Sequence, residues 1–139
     1  YRGILHFNTA GLPDNAVITK VTLKIENSYG GGGYPFATSS LLVDMKKPSF
    51  GTAALAVTDF QATAGKPNIF NPFTGNGSWY SAALKNTGFT YVNRLGVTQF
   101  RLRFAKDDDN DNVADILKFF SGNAGAVYHP QLIIEYYVP

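Results

Sequence analysis

Alternation of apolar and polar side chains is the main structural signal in this chain. Between residues 17 and 26, apolar residues fall on one face of an extended segment and mostly polar or charged residues on the other. A period of two is typical of a β-strand with one buried face and one solvated face. The predicted buried residues are Val17, Val21, Leu23 and Ile25.

Similar alternation or short apolar runs mark further strands. We predict them at residues 3–7, 41–46, 79–84, 100–104 and 132–137. Residues 57–60 fit a strand, residues 53–56 fit a helical turn, and residues 87–95 fit a short helix or a turn. Residues 65–78 are rich in Pro, Asn and Gly, which predicts a long loop.

These elements favour an all-β fold. About seven or eight strands joined by loops of uneven length are typical of a two-sheet antiparallel β-sandwich of jelly-roll type. A parallel α/β sheet is disfavoured because no amphipathic helix of about 10 residues or more lies between the strands. Since the chain has no internal repeat and no linker, we expect residues 1–139 to form a single domain.

Composition narrows the classes of function. Charged residues make up 16% of the chain and the net charge is +2, which does not favour a nucleic-acid partner. The lack of cysteine excludes disulfides, thiolate metal sites and a cysteine nucleophile. No segment approaches the ~18 apolar residues of a membrane span. A surface covered by Ser, Thr, Asn and Gly rather than by charge is common in secreted β-proteins, so we expect an extracellular or cell-surface location.

A run of aspartates follows the strand predicted at residues 100–104. Asp107, Asp109 and Asp111 alternate, and Asp115 follows four residues later. In calcium loops with this spacing, oxygen ligands at alternate positions wrap one ion, and the carbonyl of Val113 completes the set here. A divalent cation would relieve the repulsion among these carboxylates, so the loop is a candidate structural calcium site.

Two details of the acidic loop bear on this hypothesis. Asn112 stands where calcium loops usually carry Gly, and Asn tolerates a left-handed backbone better than most residues. Lys118 occupies the position of the bidentate Glu of an EF-hand, so the loop is not an EF-hand. The alternative is a solvated acidic hairpin tip, in which Asp and Asn serve as turn residues.

The sequence does not favour an enzyme. A glycoside hydrolase needs two carboxyl groups across a groove, and only five carboxylates lie outside the acidic loop. Three of these, Glu26, Asp44 and Glu135, alternate with apolar residues, so we expect them on solvated strand faces. We therefore predict a non-catalytic protein.

Aromatic residues outside the clearest core patterns suggest a sugar-binding surface. Sugar rings present C–H faces that stack on aromatic planes, while polar side chains bind the hydroxyls. Two arginines on one strand face would suit the carboxylate of an acidic polysaccharide. The alternative is that Trp79 fills the core, that the tyrosines cap sheet edges and that the arginines are ordinary surface charge. The candidate residues are Trp79, Tyr80, Tyr91, Arg94, Arg101 and Arg103.

Motifs at both ends of the chain resemble one family. Residues 12–18 read L-P-D-N-A-V-I, residues 22–25 read T-L-K-I, and residues 130–136 read P-Q-L-I-I-E-Y. With the run 3–11 and the F-F-S-G at 119–122, these motifs resemble the DNRLRE, or disaggregatase-related, domains, which are grouped with carbohydrate-binding modules. The aspartate-rich loop and the terminal Tyr-Tyr-Val-Pro resemble C-terminal modules of secreted proteins in Chloroflexi-type bacteria.

The resemblance implies a β-sandwich that is attached to exported enzymes or surface proteins, and it brings no catalytic residues. Members of that family carry one or two strands before the first strand seen here, so we expect an excised or processed piece that lacks N-terminal strands. The sheet would then have an open edge. Either the missing strand lies in a segment outside this sequence, or another chain donates a strand to that edge. We expect a module that binds carbohydrate or cell-surface polymer and anchors a larger protein, or alternatively a subunit of an extracellular filament assembled by strand complementation.

The calcium hypothesis predicts a response to chelation. We expect EDTA to lower the melting temperature of the protein, because removal of the ion restores repulsion among the loop carboxylates. The double variant Asp109→Asn/Asp111→Asn should show no further response to EDTA. Differential scanning fluorimetry measures both proteins, and an unchanged wild-type melting temperature would contradict the calcium site.

Overall fold

A computed structural model describes residues 2–28, 41–51, 54–106, 112 and 116–139. Within these residues the chain forms seven β-strands and two short 3₁₀ helices. The strands are β1 (Gly3–Asn8), β2 (Val17–Glu26), β3 (Leu41–Lys46), β4 (Thr74–Asn76), β5 (Trp79–Ala83), β6 (Val97–Phe104) and β7 (Gln131–Tyr137). The 3₁₀ helices are Val57–Phe60 and Asn86–Tyr91.

The strands form two antiparallel sheets, which confirms the predicted two-sheet sandwich. The first sheet has the order β1-β6-β3 and the second has the order β4-β5-β2-β7. Apolar side chains from both inner faces pack against each other. The most completely buried of them are Phe100, Leu23, Ile25, Met45, Val21 and Val43.

The strands among the described residues connect as in a jelly roll from its second strand onward. In a jelly roll whose strands are lettered B to I in chain order, the sheets run B-I-D-G and C-H-E-F. Assigning C to β1 gives β1-β6-β3 as C-H-E, and β7-β2-β5 as I-D-G. Residues 65–69 take the place of F, since the backbone N–H of Ile69 donates to the Val43 carbonyl oxygen at 2.9 Å. The place of B is beside β7, where no strand lies among the described residues.

Several predicted elements differ from the structure at the level of local detail. The predicted loop at 65–78 contains β4, which pairs with β5 through a tight hairpin. Residues 57–60 form a 3₁₀ helix rather than a strand. The Asp59 carboxylate accepts a hydrogen bond from the Ala56 N–H at 2.8 Å and so fixes the first turn of this helix. These elements depend on contacts that alternation does not encode.

A β-bulge reverses the predicted orientation of Val17. The ladder between β2 and β7 shifts between Ile18 and Lys20, so Thr19 is an extra residue on β2. On the N-terminal side of the bulge the buried and exposed positions are exchanged. Ile18 is buried there, whereas Val17 is 39% exposed. The prediction that Val17 belongs to the core was therefore wrong, and Ile18 takes its place.

The segment between β3 and β4 covers the outer face of the first sheet. Phe50 is fully buried but lies outside the main core cluster, with its backbone N–H bonded to Gln99 Oε1 of β6 at 2.9 Å. The first sheet is thus covered on both faces. Among the described residues there is no helix with the length and hydrophobicity that crossing a membrane requires.

Candidate functional site

A row of side chains crosses the outer face of the second sheet. In register, Asn76 of β4 lies opposite Trp79 of β5, and Trp79 lies opposite Glu26 of β2. On the other side of β2, the backbone N–H of Phe120 donates to the Glu26 carbonyl oxygen at 3.0 Å. Opposed residues of antiparallel strands point to the same face. We call Asn76, Trp79, Glu26 and Phe120 the Trp79 row.

The hairpin between β4 and β5 assembles this row. Gly77 and Ser78 join the two strands, and Gly77 has a φ of 62°, in the left-handed region that favours glycine. The backbone N–H of Asn27 donates to the Ser78 carbonyl oxygen at 2.8 Å and holds the turn against β2. Trp79 therefore begins β5 with its indole on the outer face.

The Trp79 indole packs outside the core. It is half-buried and does not belong to the hydrophobic cluster between the sheets, in contrast to the interpretation in which Trp79 fills the core. The ammonium group of Lys24, from the same outer face, lies 4.8 Å from the ring centroid in a cation–π contact. An aromatic plane and a flexible cation thus lie side by side on an outer sheet face.

Glu26 lies beneath this surface as a buried acceptor. Its side chain is 8% exposed, although alternation had predicted a solvated position, and that prediction was wrong. The Ser78 hydroxyl donates to Oε1 at 2.6 Å, while no donor from the described residues reaches Oε2. A buried oxygen without a donor loses hydrogen-bonding energy on folding. Glu26 therefore lies beneath the surface, held by the Ser78 hydroxyl.

A second cluster lies on the outer face of the first sheet. Asp44 of β3 accepts hydrogen bonds from Arg101 Nη2 at 2.8 Å and from Arg103 Nε at 2.9 Å, both on β6. The backbone N–H of Asn68 adds a third donor at 3.0 Å. The side chains of Asp44 and Arg101 are 1% and 6% exposed, so the prediction of a solvated Asp44 was also wrong.

The hydrogen bonds keep Asp44 ionised inside this cluster. Burial by itself would raise the pKa of Asp44, but the hydrogen bonds from Arg103 and Arg101 and the Asn68 N–H outweigh burial and lower that pKa below its ordinary value. Arg101 also donates to the carbonyl oxygens of Phe60 and Ala62. The cluster therefore fastens the segment that covers the first sheet to the strands beneath it.

The remaining predicted sugar-binding residues lie in separate places. Tyr80 packs from the inner face against the core. Tyr91, in the second 3₁₀ helix, also packs against the core, with Lys66 Nζ 5.6 Å from its ring centroid. Arg94 donates to the backbone oxygens of the β1–β2 connection, at 2.7 Å to Ala16. The structure therefore does not bring Trp79, Tyr80, Tyr91 and Arg94 into one platform.

The predicted calcium ligands, Asp107, Asp109, Asp111, Val113 and Asp115, lie outside the described residues. Asn112, which is described, has a φ of 64°, the left-handed conformation that its glycine-like position in the loop suggests. Within the described part of the chain, no group of three or more His, Asp or Glu side chains could hold a metal ion. The calcium site stays a prediction.

Sequence reasoning did not find the surroundings of Trp79. Lys24 and Glu26 both occupy outward-facing positions in the alternation of β2, and this alternation was the available signal. Ser78 and Phe120 reach Glu26 only through the hairpin and through the pairing of residues 118–120 with the end of β2. Those two contacts join residues that are distant in sequence, so alternation within a strand does not reveal them.

Comparison with known proteins leaves the family of this chain open. No family model, curated protein or solved structure matches it.

The buried cluster predicts a large cost for removal of the Asp44 charge. We expect Asp44→Asn to lower the free energy of unfolding by about 3–5 kcal/mol, because the buried Arg101 and the partly buried Arg103 lose their counter-ion. The control Glu135→Gln removes an exposed pair with Lys20 and should cost about 1 kcal/mol or less. Urea unfolding measures both variants, and equal costs would contradict the structural role of the cluster.

The same cluster predicts the direction of acid sensitivity. The pKa of Asp44 is lowered in the folded state, so its stabilising contribution is complete above the pKa of the unfolded chain, about 3.9. That contribution is lost as the pH falls through the lower folded-state pKa. Between about pH 5 and about pH 2, the free energy of unfolding should fall more for the wild type than for Asp44→Asn. Equal losses of unfolding free energy in the two proteins over this pH range would contradict the linkage.

Proposed function

We propose that this protein is a non-catalytic extracellular module that binds carbohydrate or a cell-surface polymer and anchors a larger protein. The observation that carries the proposal is the Trp79 indole on the outer face of the second sheet. Glu26 lies next to it in the sheet, and the Lys24 ammonium lies 4.8 Å from the ring centroid. The resemblance to DNRLRE domains points in the same direction.

The chemistry of the Trp79 row suits a sugar ring. An indole plane offers a surface for the C–H face of a pyranose, and the neighbouring side chains supply hydrogen-bonding groups. Asn76 provides an exposed amide beside the ring, and the Lys24 ammonium supplies further N–H donors. The Lys24 side chain is long and flexible, so it can leave the ring when a sugar stacks there.

A binding role also agrees with how the carboxylates of the described residues are used. Asp44 is held by two arginines, Asp59 binds the backbone N–H of Ala56, and Glu26 accepts from Ser78. Each of these acids is buried and makes a structural hydrogen bond. A glycoside hydrolase instead presents two carboxyl groups to one groove.

The extracellular location and calcium belong to the same proposal. The low share of charged residues supports export, and the lack of cysteine is compatible with it. A calcium ion at residues 107–115 would serve as a structural ion that orders the connection between β6 and β7. It would not take part in sugar binding.

The proposal predicts that Trp79 carries most of the affinity for polysaccharide. We expect Trp79→Ala to lose retention in affinity gel electrophoresis against a panel of neutral polysaccharides, because the stacking surface is removed. Unfolding in urea should change little, since the indole lies outside the core.

The matched control for this experiment is Tyr137→Ala. Tyr137 is an exposed aromatic residue at the far end of β7, 56% exposed, and its loss should leave retention unchanged. A wild-type protein that no polysaccharide retards, or equal retention of both variants, would overturn the proposal. Near-ultraviolet circular dichroism confirms that each variant keeps its fold.

A second function is favoured by the free edge of β7. The place beside β7 belongs to the first strand of a jelly roll, and no described residue fills it. Ile133, Tyr136 and Tyr137 are each more than 40% exposed, and Leu12, Leu132 and their neighbours line an apolar groove of about 360 Å³ between the edges of β1 and β7. Long apolar edges are sites of strand addition. We propose that a strand of a second copy occupies this edge and joins subunits into a filament.

Strand addition predicts self-association that depends on the edge of β7. We expect the purified chain to form oligomers or fibres as its concentration rises, visible by light scattering and negative-stain electron microscopy. Ile133→Lys places a charge on the edge and should keep the protein monomeric, whereas Leu95→Lys, at another exposed apolar position, should not. A wild type that stays monomeric at every concentration would contradict the filament.

A further inference from the structure

A cavity of about 290 Å³ opens on the outer face of the first sheet. It lies where the segment that covers this sheet leaves the ends of β1 and β6 open. Three arginines and one aspartate line it, together with a hydroxyl group and small apolar side chains. The lining includes Arg2, Asp44, Thr63, Pro67, Arg101 and Arg103.

The charges that line this cavity do not cancel. Three guanidinium groups face a single carboxylate, so the lining carries a net charge of two positive units. The pairing of Gly3 with Leu102 places Arg2 opposite Arg103 in the next position of the ladder. Arg2 and Arg101 also donate to the same acceptor, the carbonyl oxygen of Phe60, at 2.6 and 3.2 Å. The three cations therefore converge, and Asp44 is the one carboxylate among the described residues that lines the cavity.

The three arginines differ in how much of their hydrogen-bonding capacity is used. Arg101 is 5% exposed and donates from Nε, Nη1 and Nη2 to described acceptors. Arg103 is bidentate on Asp44, but its Nη1 makes only a 3.5 Å contact with the Phe104 carbonyl oxygen. Arg2 makes one hydrogen bond to a described residue. Within the described part of the chain, some N–H donors of Arg2 and Arg103 therefore have no acceptor and can serve a ligand.

We propose that this cavity binds the carboxylate group of an acidic sugar. Guanidinium groups bind carboxylates through paired N–H donors, and such charge-assisted hydrogen bonds are stronger than neutral ones. The Thr63 hydroxyl can bond a sugar hydroxyl, and Pro67 offers an apolar surface to ring C–H groups. The cavity volume is at the lower end of the roughly 300–1,000 Å³ of ligand pockets, which suits one sugar residue at the end or side of a chain.

This site is separate from the Trp79 row. The cavity lies on the outer face of the first sheet, and the Trp79 row lies on the outer face of the second, on the opposite side of the sandwich. The acidic-sugar site extends the proposed binding function to a second ligand class. Its test uses different residues and a different ligand, so it can fail while the proposal for Trp79 stands, and the reverse also holds.

The experiment is a titration of the isotopically labelled full chain, followed by NMR, with three probes. We expect glucuronate to shift the amide signals of residues 2, 63–66 and 101–104 and to leave those of residues 24, 26 and 79 in place. Glucose, which has the same ring but no carboxylate, should cause no shift there. Sulfate should bind at least tenfold more weakly than glucuronate, because it lacks the sugar hydroxyls that reach Thr63.

Variants then test which residues carry the binding. Arg2→Gln should weaken glucuronate binding at least tenfold, whereas Lys20→Gln, which removes an exposed cation from the second sheet, should not change it. Glucuronate shifts that are absent, that glucose reproduces, or that Arg2→Gln leaves intact would overturn the proposal. Sulfate that binds as tightly as glucuronate would also overturn it, in favour of a site for inorganic oxyanions. If Arg2→Gln does not fold, the positions of the glucuronate-induced amide shifts in the wild type decide whether the cavity binds the sugar.

Discussion

The charge pairing of Asp44 with Arg101 and Arg103 determines which surfaces of this sandwich are open. A carboxylate at 1% exposure is stable only if cations and N–H donors surround it. The two arginines come from the neighbouring strand, and Arg101 then needs the carbonyl oxygens of Phe60 and Ala62 for its remaining donors. These bonds hold residues 54–68 against the first sheet, which is therefore covered on its outer face as well as its inner face.

The second sheet has no corresponding charge cluster among the described residues, and its outer face keeps a different character. Lys20 and Glu135 pair there at more than half exposure, an arrangement that contributes little stability and leaves the surface open. Trp79 is the one tryptophan of the chain, and its half-buried indole lies on this open face. A planar aromatic side chain that is not needed in the core is available for a ligand, which is why the binding proposal rests on this sheet.

Sequence reasoning predicted the sheets better than the sites, and the reason is the range of the interactions involved. Alternation within a strand is local, so the boundaries of β2, β3 and β7 followed from it closely. The bulge at Thr19 changed the phase of β2 because an extra residue depends on the partner strand. Alternation along β2 and β3 also placed Glu26 and Asp44 on outer faces correctly. It could not show that other segments cover those faces and bury both carboxylates.

The two proposed modes of binding at the second sheet are compatible in space. Strands in a sheet lie about 4.8 Å apart, so a strand added beside β7 would be about 14 Å from β5, which carries Trp79. The added strand would extend the outer face beyond Gln131 and Ile133 without covering the indole. A filament of such subunits would repeat one aromatic row along its length. Repetition raises the effective concentration of binding sites, so a filament could hold a polysaccharide more strongly than any single subunit.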